Sequence, residues 1–253
     1  MITLNGKEVV FGKFPNGEIN LPVGGLSLLA DNAVKLVYED DADFMRLALV
    51  KGWLDDMNCD SSLYLAYMPY SRMDRVNGHY AVGLKAACQL VNSLNFQKVV
   101  TREPHSPSTI EWLNGATADN WCADRLAEVA KDGEFDSLFF PDFGAKQRYG
   151  EGHELPTAYG KKTRAFLTGD ITGLEVFGDV GKNVLIVDDL CSRGGTFVAG
   201  AKLLKEKGAG RVSLMVAYVE DNVFTGEIFD HIDRIYTSSE RELRNHPRIT
   251  KID

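Results

Sequence analysis

The sequence predicts an α/β protein: two tandem Rossmann-like domains, each a mainly parallel sheet flanked by helices. Three observations carry this. Strand-like and helix-like segments alternate along the 253 residues. The strand-like run 184–187 (VLIV) is apolar at every position, as a parallel strand buried on both faces should be. The length suits one large core or two of about 110 to 130 residues.

In chain order, strands are expected at 35–38, 63–68, 98–101, 137–140, 183–187, 212–218 and 234–237, and helices at 43–56, 80–94, 121–131 and 196–207. A βαβα order implies parallel pairing. The boundary falls near 115–122, giving domains 1–118 and 119–253, with a return of the last residues to the first domain left open. No short-period repeat or low-complexity segment interrupts the pattern.

Composition narrows the class. Hydrophobic residues make up 44% and charged residues 25%, as in ordinary soluble globular proteins. No apolar run approaches the ~20 residues needed to cross a bilayer, and the start MITLNGKEVV is no signal peptide, so a cytoplasmic location and no membrane partner are expected. The net charge of −8 argues against a nucleic-acid surface, which needs a basic face. Cys59, Cys88, Cys122 and Cys191 show no metal or redox spacing; Cys191 reads more simply as a small packing residue than as a nucleophile.

The most telling stretch is 184–196, VLIVDDLCSRGGT. An apolar strand should deliver Asp188 and Asp189 at its carboxyl end, where open α/β sheets place ligands. Ser192, Arg193, Gly194, Gly195 and Thr196 then form a loop before a helix, whose backbone N–H groups make a concave anion site. A plain acidic, glycine-rich turn is the simpler account of the loop alone. Two carboxylates beside a phosphate cradle favour a phosphorylated sugar.

This stretch resembles the signature of proteins that bind phosphoribosyl diphosphate, the phosphoribosyltransferases and the phosphoribosyl diphosphate (PRPP) synthetases. The resemblance implies phosphoribosyltransferase-like domains, with Asp188 and Asp189 on the ribose hydroxyls and residues 192–196 on the 5-phosphate. Four further segments resemble the synthetases in order. Residues 69–75 (PYSRMDR) look like their ATP-contacting segment, carrying Arg72, Asp74 and Arg75. Residues 14–18 (FPNGE) resemble the loop whose Phe14, Asn16 and Glu18 would reach the adenine of a neighbouring subunit, implying a homo-oligomer that shares its ATP site. Residues 103–106 (EPHS) resemble the turn whose histidine, here His105, lies near the metal and ATP phosphates. Residues 141–148 (PDFGAKQR) resemble the segment whose aspartate, here Asp142, helps hold Mg²⁺. Each has a bland reading as a turn or solvated charge cluster; their joint order across most of 11–237 argues for the ribose-phosphate pyrophosphokinase family.

The long polar segment 149–173 is expected to be a loop, and long loops in compact domains are often lids. Its GKKTR cluster resembles the family's flexible catalytic loop, with Lys162 and Arg164 at the matching spacing and Lys161 an alternate. The resemblance implies an enzyme that moves the β,γ-diphosphate of Mg²⁺·ATP to the anomeric hydroxyl of ribose 5-phosphate and releases AMP. Arg72, Lys162, Arg164 and the metal would neutralise charge, with His105 and Asp142 holding the metal–ATP assembly.

The departures are informative. Arg193 stands in a 5-phosphate loop where the family usually has threonine, Met73 where it has glutamine, and Glu103 where it has aspartate. The chain is also shorter than a typical synthetase, lacking the first strand-helix unit and the last helix, which implies altered assembly and regulation. Arg193 adds a bidentate phosphate donor that suits a monophosphate or a 5-diphosphate. Some phage-encoded relatives are held to use ADP-ribose as acceptor in rebuilding NAD⁺, so ADP-ribose is the alternative acceptor. A non-catalytic regulatory subunit and a phosphoribosyltransferase are the lesser alternatives; retention of the charged residues argues against the first, PYSRMDR and FPNGE against the second.

Overall fold

The computed structural model describes residues 1–76, 78, 80–164, 171–238 and 243–253, with backbone alone for 162–164 and 171–174. The chain separates into two compact units, Met1–Asn120 and Trp121–Asp253.

In the first unit, β1 (Ile2–Leu4), β2 (Lys7–Glu8), β3 (Gly12–Lys13) and β4 (Ile19–Asn20) precede β5 (Asp31–Leu36), α1 (Ala42–Asp56), β6 (Asp60–Leu65), α2 (Gly83–Ser93), β7 (Lys98–Arg102), α3 (Pro107–Trp112) and β8 (Ala116–Asp119). The sheet runs β2-β1-β5-β6-β7-β8, parallel from β5 to β8 and antiparallel at the β1 and β2 edge; β3 and β4 form a separate hairpin. Leu36, Leu47, Leu54, Leu63, Leu65 and Leu84 lie at the centre of its core.

The second unit runs α4 (Trp121–Asp132), β9 (Ser137–Phe140), α5 (Phe143–Tyr149), β10 (Thr157–Arg164), β11 (Ile171–Gly178), β12 (Asn183–Cys191), α6 (Gly195–Glu206), β13 (Arg211–Val219), a 3₁₀ turn at Asp221–Thr225, α7 (Ile228–His231), β14 (Ile235–Ser238) and β15 (Ile249–Ile252). The sheet order is β11-β10-β9-β12-β13-β14-β15, parallel except between β10 and β11. Alternate residues of β12 enter different cores, Val184 and Ile186 with Phe197 and Leu204 of α6, Leu185 and Val187 with Trp121 and Leu126 of α4. Both faces are covered, which is why the run reads as continuously apolar. Among the described residues no helix is long and apolar enough to cross a membrane.

Five expectations need correcting, two of them strand positions: the strands expected at 35–38 and 63–68 run over Asp31–Leu36 and Asp60–Leu65. The segment 149–173 is not one long loop: β10 pairs with β9 on one side and antiparallel with β11 on the other. Its lysines and threonines hide the strand signal, and a sheet margin tolerates such residues. Asp188 and Asp189 lie within β12 rather than beyond it, because β13 continues alongside as far as Val219. The helix expected at 80–94 begins only at Gly83, since Val82 is still extended. The short β1 to β4, β8, α3, α5 and α7, and the β15 that adds to the second sheet, gave no periodic signal long enough to read.

Candidate sugar-phosphate and nucleotide sites

The second unit builds its site from two neighbouring strands. β9 and β12 are paired, Ile186 opposite Phe139, so Asp142, two residues past β9, and the acids near the carboxyl end of β12 come to the same end of the sheet. Asp142 is the N-cap of α5, its Oδ1 accepting the Ala145 N–H at 3.0 Å. From the last turn of α5, the Arg148 Nη2 donates to Oδ1 of Asp188 at 2.9 Å and to Oδ1 of Asp189 at 3.1 Å.

Burial first, then Asp189 beside it, pushes the Asp188 carboxyl well above the usual range, with Asp142 adding to the push and Arg148 opposing it. Burial works against the charge on Arg148, but Tyr149 and the two acids raise its affinity for the proton. Two carboxylates thus share one guanidinium, with Asp142 near enough to be felt by Asp188, making an acidic end of the sheet where hydroxyl donors or a cation are welcome. Mg²⁺ is usually held by one or two carboxylates plus substrate phosphates. Asp142, Asp188 and Asp189 fit that donor chemistry, although among the described residues no group of three or more His, Cys, Asp or Glu is placed to hold a metal.

The phosphate loop follows. Gly194 has φ of +80° and is the N-cap of α6. A Cβ there would stand 2.5 Å from Cδ1 of Ile228, and one on Gly226 would stand 2.5 Å from the Arg193 carbonyl oxygen, so the segment after β13 closes tightly on the loop. On the other side, a Cβ on Gly195 would meet nothing within 4 Å. The Arg193 side chain is exposed, and Ser192 and Thr196 are half-buried. Cys191 is buried, and burial, with Glu220 and Asp188 nearby, pushes its thiol up, which fits packing rather than nucleophilic work.

The segment that closes on Arg193 and the stretch after β14 together carry a ring cluster. Phe224 and Phe229 stack at 6.0 Å, His246 stacks on Phe229 at 4.0 Å, and the Arg244 guanidinium lies 5.0 Å from the Phe224 centroid.

In the first unit, residues 69–75 follow β6 and residues 103–106 follow its neighbour β7, so sheet order brings the two segments to the same edge. Arg72 is exposed and His105 half-buried. Burial works against the charge on Asp74, but Arg75, 3.2 Å away, and the Ser106 hydroxyl hold its carboxyl below the usual range. The FPNGE segment is the turn of the β3–β4 hairpin: Phe14 N–H donates to the Glu18 carbonyl at 2.8 Å, and Asn16 Oδ1 accepts the Glu18 N–H at 3.1 Å. Gly17 has φ of +94°, Phe14 is 53% exposed, and Glu18 points to solvent.

The side chains of Lys162 and Arg164 lie outside the described residues; their backbone belongs to β10, opposite Leu174 and Ile171. His105 lies in the first unit and Asp142 in the second. Arg148 is the site residue that reasoning from sequence passed over: its only signal was a basic residue late in a short helix, and its role follows from the adjacency of β9 and β12.

No protein-family model matches the chain. It is 28% identical over 215 residues to the ribose-phosphate pyrophosphokinase of Saccharolobus solfataricus, covering 79% of this chain and 72% of that protein. It is 28% identical over 234 residues to that of Thermococcus kodakarensis, covering 90% and 82%. In fold it is similar to phosphoribosylpyrophosphate synthetase from Mycobacterium smegmatis, with a TM-score of 0.79 and 19% identity over 97% of this chain and 85% of that one. The chain is thus similar in sequence to ribose-phosphate pyrophosphokinases along most of its length.

Proposed function

We propose that this protein is an ATP-dependent diphosphotransferase that makes phosphoribosyl diphosphate from ribose 5-phosphate and releases AMP. The observation that carries it is the acid pair Asp188–Asp189, held by Arg148 and followed directly by the Gly194 loop. It offers acceptors for ribose hydroxyls and N–H donors for a 5-phosphate within the one stretch 188–196, in a chain similar to ribose-phosphate pyrophosphokinases.

Ser192 to Thr196 bind the 5-phosphate, and Asp188 and Asp189 orient the sugar so that its anomeric hydroxyl attacks the β-phosphorus of ATP. Phe14, Asn16, Glu18, Arg72, Asp74, Arg75 and His105 bind the nucleotide. Arg72, Lys162 and Arg164 place positive charge on the transferring phosphoryl groups, where positioning and neutralisation do most of the catalytic work. Mg²⁺ carried with ATP supplies further neutralisation, with His105 and Asp142 as its proposed ligands. An exposed Phe14 on a two-stranded hairpin supports the reading that FPNGE completes the nucleotide site of a neighbouring subunit in a homo-oligomer. The protein is proposed to work in the cytoplasm.

A second acceptor, ADP-ribose, is favoured by one observation: the Phe224, Phe229, His246 and Arg244 cluster sits in and beside the segment that closes on Arg193. Stacked rings with cations suit a base and a second phosphate. Incubation with Mg²⁺·ATP and either sugar, followed by chromatography, tests both. AMP formed only with ribose 5-phosphate supports the first reading, and AMP formed only with ADP-ribose the second. AMP release that needs neither sugar, or no turnover with both, overturns the proposal.

A further inference from the structure

The first unit holds a small polar cluster that no step above uses. Asp41, just before α1, is exposed, and its Oδ1 accepts hydrogen bonds from two phenols, Tyr38 at 2.6 Å and Tyr70 at 2.6 Å. Tyr70 belongs to the PYSRMDR segment and has φ of +62°, a conformation that a bulky residue adopts at a cost. Its neighbours brace the same turn. Ser71 N–H donates to the Met68 carbonyl at 3.3 Å, Met73 N–H to the Tyr70 carbonyl at 2.8 Å, and Leu84 N–H to the Met73 carbonyl at 3.2 Å. Ser71 is buried with its hydroxyl on the Tyr67 phenol at 2.9 Å. Gly83 leaves room for the Tyr70 ring, since a Cβ there would stand 2.7 Å from Cδ1. Arg72 is therefore an exposed residue of a turn whose two sides are both pinned, and the carboxylate at the head of α1 is an anchor that reaches this turn from outside β6 and α2.

We propose that Asp41 is a positioning residue for nucleotide binding: by holding the Tyr70 phenol it keeps the strained turn in place and so sets where the Arg72 guanidinium meets the phosphates of ATP. The nucleotide half of this rests on the function proposed above. Tyr38 shares the carboxylate oxygen and steers it, so the anchor is a three-group cluster.

The role is one of hydrogen-bond acceptance, not of net charge, and the variants separate these. Asp41→Ala removes the acceptor for both phenols; Asp41→Asn keeps one acceptor oxygen. Asp41→Ala is expected to raise the KM for ATP about tenfold, the scale of one hydrogen bond to a charged group lost from a binding turn, with kcat falling too because Arg72 also faces the transferring phosphoryl groups, and with the KM for ribose 5-phosphate changed less than about twofold. Asp41→Asn should recover most of the loss, and Tyr70→Phe should add little on top of Asp41→Ala. Amide hydrogen exchange at Ser71 and Met73 should rise about tenfold or more in Asp41→Ala without nucleotide. Unchanged exchange overturns the positioning role whatever the enzyme's activity. Failure of the wild-type protein to bind ATP by calorimetry, with exchange still rising, overturns the nucleotide half. A failure of Asp41→Asn equal to that of Asp41→Ala shows a charge role instead.

Discussion

Replacing Arg148 by methionine keeps much of its aliphatic bulk and removes the charge that two carboxylates share. The Arg148 side chain is 25% exposed, Asp188 16% and Asp189 5%. Breaking a fully buried ion pair from one side costs about 3–5 kcal/mol; with water reaching a quarter of the guanidinium, about 2–3 kcal/mol is expected here. At ~2–4 °C per kcal/mol for a chain of this size, the melting temperature should fall by about 5–10 °C at pH 7.5. The sign of the pH dependence follows from Asp188. Its folded-state pKa already lies above the unfolded value, so in the window between the two the folded state binds more protons, and stability rises as pH falls. Losing Arg148 removes the main opposing influence and lifts Asp188 further. The deficit of Arg148→Met should therefore shrink on going from pH 7.5 to 5.5, followed by calorimetric melts of both proteins. A deficit that is absent at pH 7.5, or that grows on acidification, would refute the claim that Asp188 and Asp189 depend on this guanidinium.

Gly194→Ala forces a Cβ into Ile228 at a left-handed position; it should cost about 2–3 kcal/mol in thermal melts and raise the KM for the sugar phosphate. Asp142→Ala frees the Ala145 N–H at the head of α5 and should cost about 1 kcal/mol, with a larger loss in kcat than in stability, read by steady-state kinetics at several Mg²⁺ concentrations. Lys162→Ala should lose most of the turnover rate while calorimetry shows ATP binding largely retained; unchanged turnover would remove Lys162 from the catalytic set.

The longest and most apolar elements were readable from the chain. Strand 137–140 and helix 121–131 are found within a residue of their expected ends, because Leu138, Phe139 and Phe140 are buried together and α4 has one clear apolar face. The strand ends were harder. β12 runs on through Asp188 and Asp189, since pairing with β13 outweighs the polarity of two acids, and no local property announces a partner strand's length. The β10–β11 hairpin was hidden because a sheet margin accepts lysine, threonine and glycine, residues that also make loops. The candidate site residues 188–196, 142, 72–75 and 105 were proposed from motifs in the chain. Arg148 was not, since its partners are 40 and 41 residues away.

The sequence by itself determined the alternation of strands and helices, the two-sided burial of the 184–187 strand, and the placing of acids and glycines together near its end, because these depend on residues close in the chain. The tertiary structure decided which strands are neighbours, and hence that Arg148 meets Asp188 and Asp189 with Asp142 close enough to be felt by Asp188, that the segment after β13 closes on the Gly194 loop, and that Asp41 reaches Tyr70. Those contacts join residues dozens of positions apart, and side-chain reach of a few ångströms acts only after the sheet order has brought the backbone together.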